Sequence, residues 1–344
     1  MNTLIISPSD DLSLAANILR AGGLVAVPTE TVYGLAANAF DTQAVTNIFK
    51  AKGRPNDNPL IIHIANIHML EDLVTEISPT AQLLMEAFWP GPLTLVFKAS
   101  PKVSKVVTGG LDTVAIRFPS HPIIQKLIEV SHLPLAAPSA NTSGKPSPTN
   151  AKRVIEDLNG KIDAIIDGGD CSVGVESTVV DTTCKVLTIL RPGGVTFEML
   201  QALVPNVTID PAILGPLKED QLPKAPGMKY AHYSPNAEVI IVEGETSQVI
   251  SAITALILTA QQKHKRVGVL ATDETKDCFT ADLILSVGTF EELDKVAAHL
   301  FETLRHFDDE KIDIVYSFAF PKKGIGGAIM NRLEKSAGHH ILKV

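Results

Sequence analysis

Short apolar runs alternate with stretches of helical periodicity along most of the chain. Leu12, Ala15, Ile18 and Leu19 share one helical face behind a candidate cap at Ser9, and Gly22 and Gly23 end that pattern. LVAVP (24–28) then reads as a buried strand, and a second helix covers about 42–52 before stopping at Gly53. Further strands are predicted over 60–64, 93–97, 113–118 and 133–138, with helices over about 120–131 and 149–158. Strands return at 163–167, 177–181 and 186–191. The mixture predicts an α/β domain with a mixed sheet rather than a purely parallel one.

From about residue 205 the pattern fails. PNVTIDPAILGPLKEDQLPKAPGMKYAHYSPN carries six prolines and little periodicity, and reads as a long tether or a functional loop. From Ala237 a second βα series begins: EVIIVEG, a helix over about 247–262, RVGVLAT, ADLILSVG, a helix over about 290–305, KIDIVYSFAF and a last helix from about 325. That series predicts a small doubly wound unit. The expected organisation is a catalytic domain over 1–206, a proline-rich linker over 207–236 and a Rossmann-like domain over 237–344.

Composition narrows the partners. Of 344 residues, 30 are Lys or Arg and 38 are Asp or Glu, a net charge of −8 that argues against a broad basic face for nucleic acid. It leaves room for a small cationic pocket. Cys171, Cys184 and Cys278 form no CxxC pair, so they read as apolar filler in a reducing compartment rather than a disulfide framework or zinc site. Asp10 and Asp11 interrupt the N-terminal apolar stretch, no basic segment precedes it, and no apolar window is long enough to span a bilayer. The expected compartment is the cytoplasm, with no membrane partner.

Common nucleotide fingerprints fail. SGKPS (143–147) has Ser139 where a P-loop needs its first glycine, and GIGGAI (324–329) has Ile329 in place of the third dinucleotide-binding glycine. Four other features carry candidate chemistry. PTETVYGLAANAF (28–40) follows a buried strand, so Thr29, Glu30, Thr31 and Tyr33 either line a crevice at the strand's carboxyl end or form an ordinary turn. In KAKGRPNDNPLIIHI (50–64), Pro55 biases Arg54 toward an extended backbone. Lys52 and Arg54 then suit a polyphosphate, or simply decorate a helix end. APSANTSGKPSPT (137–149) is either a hydroxyl-rich phosphate or nucleobase cradle or a surface loop. Arg117 closes the apolar run TVAI, Ser177 lies in VESTVVD, and Arg191 precedes PGG. An arginine at the end of an apolar strand calls for an anionic partner. His63, inside LIIHI, reads either as a satisfied core residue or as a ligand.

PTETVYGLAANAF, KAKGRPNDNPL, WPGPLTLVF, VAIRFPSHP, APSANTSGKPSPT, VESTVVD and ILRPGG occur in that order across residues 28–194. Together they resemble the YrdC-like family of L-threonylcarbamoyladenylate synthases. PGMKYAHYSP and a C-terminal domain ending in GGAIMNRLEKSA resemble its longer, two-domain branch. The resemblance implies a twisted, mixed α/β sheet around a basic cavity. It implies synthesis of threonylcarbamoyl-AMP from L-threonine, bicarbonate and ATP, with release of pyrophosphate. That is the first step in forming threonylcarbamoyladenosine at position 37 of tRNAs that read codons starting with A.

By the same resemblance, Lys52 and Arg54 hold the triphosphate, and Ser139, Asn141, Asn58, Thr113, Ser147 and Arg191 contact the nucleotide. Arg117 takes the threonine carboxylate, with Thr31, His63, Ser177 and the backbone of Ala137 completing the amino-acid pocket. His232 and Tyr233 cover the bound nucleotide, Tyr233 in a catalytic role. Magnesium is expected on the phosphates with few or no protein ligands, with no organic cofactor and no protein metal site. The downstream partner is the machinery that transfers the group to tRNA; no stable direct nucleic-acid binding is expected. Two alternatives stay open: an RNA-binding module without catalysis, and an enzyme forming a carbamoyl-adenylate from another substrate.

Overall fold

The protein is described by a computed structural model that covers all residues except Met1, Pro8, Asp10, Asp57 and 214–233. The described residues fall into two units. The larger carries eleven strands: β1 (Leu4–Ile6), β2 (Val25–Val27), β3 (Gly34–Asn38), β4 (Ile61–His63), β5 (Leu93–Lys98), β6 (Thr113–Arg117), β7 (Leu135–Ala136), β8 (Ala164–Ile166), β9 (Thr178–Asp181), β10 (Leu187–Arg191) and β11 (Val207–Ile209). They form one mixed sheet in the order β1-β8-β2-β3-β7-β4-β6-β5-β9-β10-β11. Its helices are α1 (Ser13–Arg20), α2 (Thr42–Lys52), α3 (Leu70–Leu73), α4 (Pro79–Phe88), α5 (Lys105–Thr108), α6 (Pro122–Ser131), α7 (Ala151–Leu158) and α8 (Phe197–Leu203).

The strands read as continuous apolar runs because both sheet faces are covered. Leu24, Ala26, Leu35 and Ala37 join one core with Ile48 and Phe49 of α2. Val25, Val27 and Ala36 point the other way, into a core with Leu19 of α1 and Ile124 of α6. The alternation is the period of two expected of a strand. Helix α2 runs as its sequence predicts. Asp41 accepts from the Gln43 and Ala44 amides at its start, and Gly53 ends it in the left-handed conformation at φ 63°. That stop fixes Lys52 at the last helical position.

Several elements depart from the sequence expectation. GLAAN, read above as part of a ligand loop, is β3, and Asp41 caps the following helix. Helix α1 begins at Ser13 rather than behind Ser9. The stretch assigned to the linker opens with β11, which pairs in parallel with β10, Leu187 opposite Val207. A 3₁₀ turn at Pro211–Ile213 follows, and Ile213 packs into the same core as Leu187 and Ile189.

The second unit carries β12 (Glu238–Glu243), β13 (Val267–Ala271), β14 (Leu283–Ser286), β15 (Ile314–Phe318) and β16 (Ile341–Lys343). Its sheet is wholly parallel, in the order β14-β13-β15-β12-β16. Helices α9 (Thr246–Gln262), α10 (Leu293–Asp309) and α11 (Gly326–Ser336) complete it. Val267, Val269 and Ala271 share a core with Val249, Ile253 and Ile257 of α9. The intervening Gly268 lies against the Phe307 ring of α10. The unit is therefore doubly wound, as expected. No helix among the described residues is long and apolar enough to cross a membrane.

One glycine marks where backbone packing is tightest. Gly193, just after β10, sits so close to β9 that a Cβ there would overlap Glu176 O and Thr178 N, both backbone atoms. We expect Gly193→Ala to destabilise the protein by about 1–3 kcal/mol, the usual cost of overpacking a site that cannot yield. A thermal melt within a degree of the parent would contradict this packing.

Candidate active site

The loop between β2 and β3 is a tight polar turn. Thr29 Oγ1 lies 2.8 Å from Thr31 Oγ1 and donates to Val32 O at 2.7 Å. The next residue anchors this turn to the 137–149 loop: Tyr33 N donates to Pro148 O, and Ala140 N donates to Tyr33 O. Its hydroxyl donates to Gly169 O at 2.8 Å and accepts from Gly168 N, and burial raises its pKa. Two stretches far apart in sequence are thereby held face to face.

Arg117 ends β6 and is 3% exposed. Its Nε donates to Gly91 O at 3.3 Å, its Nη1 donates to Thr31 Oγ1 at 2.7 Å, and its Nη2 lies 2.6 Å from Glu30 Oε1. Glu30 is buried too, and Ser120 N donates to the same Oε1. Burial opposes the carboxylate charge, but Arg117's charge and hydrogen bond outweigh it and hold the Glu30 pKa below its ordinary value.

Strand register brings the neighbours in. His63 stands beside Arg117 across the β4–β6 pair and opposite Leu135 of β7. Its Nδ1 is buried without a hydrogen-bond partner. Burial, and then the Arg117 charge, push its pKa down to about 3, so the imidazole is neutral. Ala137 is buried, and its amide is spent on Ile61 O, which leaves its carbonyl for a ligand. Thr94 of β5 is level with Arg117, and its hydroxyl meets Ser177 Oγ at 2.8 Å. Arg191 donates from Nε to Ser177 O and from Nη2 to Ser177 Oγ.

The 137–149 loop forms the next wall. Lys52 is 2% exposed, and its Nζ donates to Ser139 O and, at 2.6 Å, to Asn141 O. Ser139 Oγ donates to Asn141 Oδ1 at 2.6 Å, and Ser143 N returns a bond to Lys52 O. Ser147 Oγ donates to Glu176 Oε1 at 2.5 Å, one residue before Ser177. The structure thus gathers Thr31, His63, Arg117, Ser177 and Arg191 around one set of strand ends, with Ser139, Asn141 and Ser147 on the adjoining loop and Lys52 reaching that loop from the end of α2.

Three residues stand apart. Thr113 opens β6 and pairs with Lys98, four residues before Arg117 and so roughly 13 Å along the strand. Asn58 is fully buried and precedes β4 near that same end; its side-chain amide has no hydrogen-bond partner among the described residues. The Arg54 guanidinium lies 5.9 Å over the Phe49 ring, whereas the Lys52 ammonium bonds to the carbonyls of the 137–149 loop. His232 and Tyr233 lie outside the described residues. Cys171 is buried in the same region, with its thiol pushed up to about 12 by burial, which keeps it unreactive. Sequence reasoning left Glu30 as a crevice residue without a role, and missed Thr94 and Glu176. A threonine inside the apolar run LTLVF is the one signal that marks Thr94.

The site's class follows from these parts. A buried guanidinium, a neutral imidazole, and a hydroxyl-rich loop braced by a buried lysine suit anion binding and positioning. No Ser–His or Cys–His pair is hydrogen-bonded among the described residues, so a covalent route through a protein nucleophile has no support here. Comparison with known proteins agrees. The family model described as "Telomere recombination" matches residues 17–193, and the one described as "Threonylcarbamoyl-AMP synthase, C-terminal domain" matches residues 195–338. The chain belongs to the threonylcarbamoyl-AMP synthase family. It is 50% identical over 333 residues to the threonylcarbamoyl-AMP synthase of Pyrococcus abyssi, covering 97% of this chain and 96% of that one. It is 48% identical over 333 residues to the synthase of Bacillus subtilis, covering 96% and 94%. The crystal structure of P. abyssi Sua5 complexed with L-threonine superposes with a TM-score of 0.94 at 48% identity, with all of both chains covered.

A pH dependence follows from the buried pair. His63 protonates near its ordinary 6.5 when unfolded but only near 3 when folded. Between those values the unfolded chain binds the extra proton, so stability falls as pH drops, by up to about 1.4 kcal/mol per pH unit from this residue. Glu30, whose folded value is lowered, adds to the loss on further acidification. Denaturant midpoints at pH 7 and pH 4.5 should differ less in His63→Gln than in the parent. An equal shift in both would show that His63 does not carry the effect.

Proposed function

We propose that this chain joins L-threonine, bicarbonate and ATP into threonylcarbamoyl-AMP and releases pyrophosphate, supplying the group later transferred to tRNA. The observation that carries the reading is the buried Arg117 cluster, with Thr31 and His63 beside it. It lies in a chain that matches threonylcarbamoyl-AMP synthases over nearly its whole length.

The substrate carboxylate takes Arg117, whose planar fork fits a carboxylate better than a lysine would. The threonine amine attacks the bicarbonate carbon, a C–O bond breaks, and water leaves to give a carbamate. A carbamate oxygen then attacks the α-phosphorus, the bond from that phosphorus to the bridging oxygen breaks, and pyrophosphate leaves with the electron pair. The step needs two anions brought together and charge neutralised as the leaving group departs. Lys52 and Arg54 supply that charge, while Ser139, Asn141, Ser147 and Arg191 hold the nucleotide. Asn58 and Thr113, about a strand's length from Arg117, suit the far end of an extended nucleotide. His232 and Tyr233 keep the role that the resemblance implies, covering the nucleotide against water.

Magnesium enters with the ATP phosphates. No cluster of three or more His, Cys, Asp or Glu residues among the described residues could hold a metal ion. A cation coordinated mainly by phosphate and water fits that donor set. Its contribution is charge neutralisation on the triphosphate. The cytoplasm is the expected site of action.

Pyrophosphate release with ATP and bicarbonate, compared between threonine and other amino acids, tests the reading. Release that ignores threonine would favour a carbamoyl-adenylate from another substrate, and no release would favour a binding module. Arg117→Lys should weaken threonine binding by about 1.5–3 kcal/mol and ATP binding less; unchanged threonine affinity by calorimetry would remove Arg117 from the pocket. Arg54→Ala should lower turnover at saturating ATP at least about tenfold. Near-normal turnover would leave Arg54 as a helix-end cation on Phe49.

A further inference from the structure

The Arg117 cluster is charge-balanced before any ligand arrives. A guanidinium offers five N–H groups. Nε donates to Gly91 O and Nη1 to Thr31 Oγ1, while Nη2 is ion-paired with Glu30 Oε1 without an aligned hydrogen bond, so donors remain for a ligand carboxylate. Arg117 carries one positive charge, and Glu30 beside it carries one negative charge. A simple carboxylate bound to this pair would leave the pair and ligand with a net negative charge. An α-amino acid brings one charge of each sign and keeps it neutral.

Glu30 itself is only half satisfied. Its Oε1 meets Arg117 and accepts from Ser120 N. Its Oε2 is buried and has no hydrogen-bond partner. A buried carboxylate oxygen that no protein group donates to is costly, so it calls for a donor from a ligand. The two oxygens share one carbon, so a donor that reaches Oε2 also lies beside the guanidinium. An ammonium on the carbon next to a carboxylate held by Arg117 meets that requirement.

We propose that Glu30 Oε2 binds the substrate's α-ammonium and thereby selects an amino acid over other carboxylates. This rests on the proposed reading of the site. Glu30 is then a ligand-contacting residue as well as the group that orients Arg117.

Calorimetry on the full chain separates the two roles. The probes are L-threonine and its analogue 2,3-dihydroxybutanoate, in which a hydroxyl replaces the amine. The parent should favour threonine by about tenfold or more, the preference expected of a site built around a charged donor. Glu30→Gln should lose most of that preference. Glu30→Asp keeps the charge and should retain it, at reduced affinity for both ligands. Matching thermal melts exclude simple misfolding. A Glu30→Gln variant that binds both ligands more weakly by the same factor would overturn the assignment, because Glu30 would then act only through Arg117. A parent that binds threonine without preferring it would also overturn it. A parent that binds neither ligand would overturn the reading of the pocket together with the assignment.

Discussion

The site depends on one buried guanidinium. Arg117 is carried into the interior by an apolar strand, and a charge so placed is tolerable only when its donors are met. Its partners come from three parts of the chain: the turn holding Glu30 and Thr31, the Gly91 carbonyl, and the neighbouring strand with His63. Meeting that charge therefore fixes the relative placement of segments that would otherwise be independent loops. His63 is kept uncharged first by its own burial and then by the Arg117 charge beside it.

Lys52 does a related job with neutral partners. Its ammonium bonds to the carbonyls of Ser139 and Asn141, so helix α2 braces the 137–149 loop from behind. The same charge sits where the proposed reaction develops negative charge. Stability of the loop and reactivity of the site thus share one side chain, which makes a loss of charge at Lys52 harder to interpret than one at Arg54.

Much of this was legible in the residues. The apolar spacing and Gly53 mark α2, and the parallel βα series of the second unit follows its periodicity. Arg117 stood out as a charge closing an apolar run. Other features were hidden because they depend on long-range pairing. GLAAN is made of small residues with little strand preference, yet it becomes β3 because β2 and β7 hold it on both sides. Val207–Ile209 reads as linker because it opens a proline-rich stretch with little periodicity, and it becomes a strand only by pairing with β10. The Glu30–Arg117 pair spans 87 positions, so neither residue predicts the other. The Lys52 spacing signalled a cation near a turn, but not that carbonyls would hold it.

The strand order has a consequence for how the chain is made. β1 lies at the sheet's edge and, among the described residues, pairs with β8 alone, Leu4 opposite Ala164. Its partner residue lies 160 positions later in the chain (164 − 4), so β1 has no partner until that stretch has been synthesised. Such separated contacts close slowly, because the loop entropy is lost before the pairing repays it. Until then Leu4 and Ile5, both exposed even in the finished fold, form part of an unpaired apolar edge on a nascent chain. During synthesis, the time spent in that open state, more than the strength of the finished sheet, sets how readily the chain self-associates.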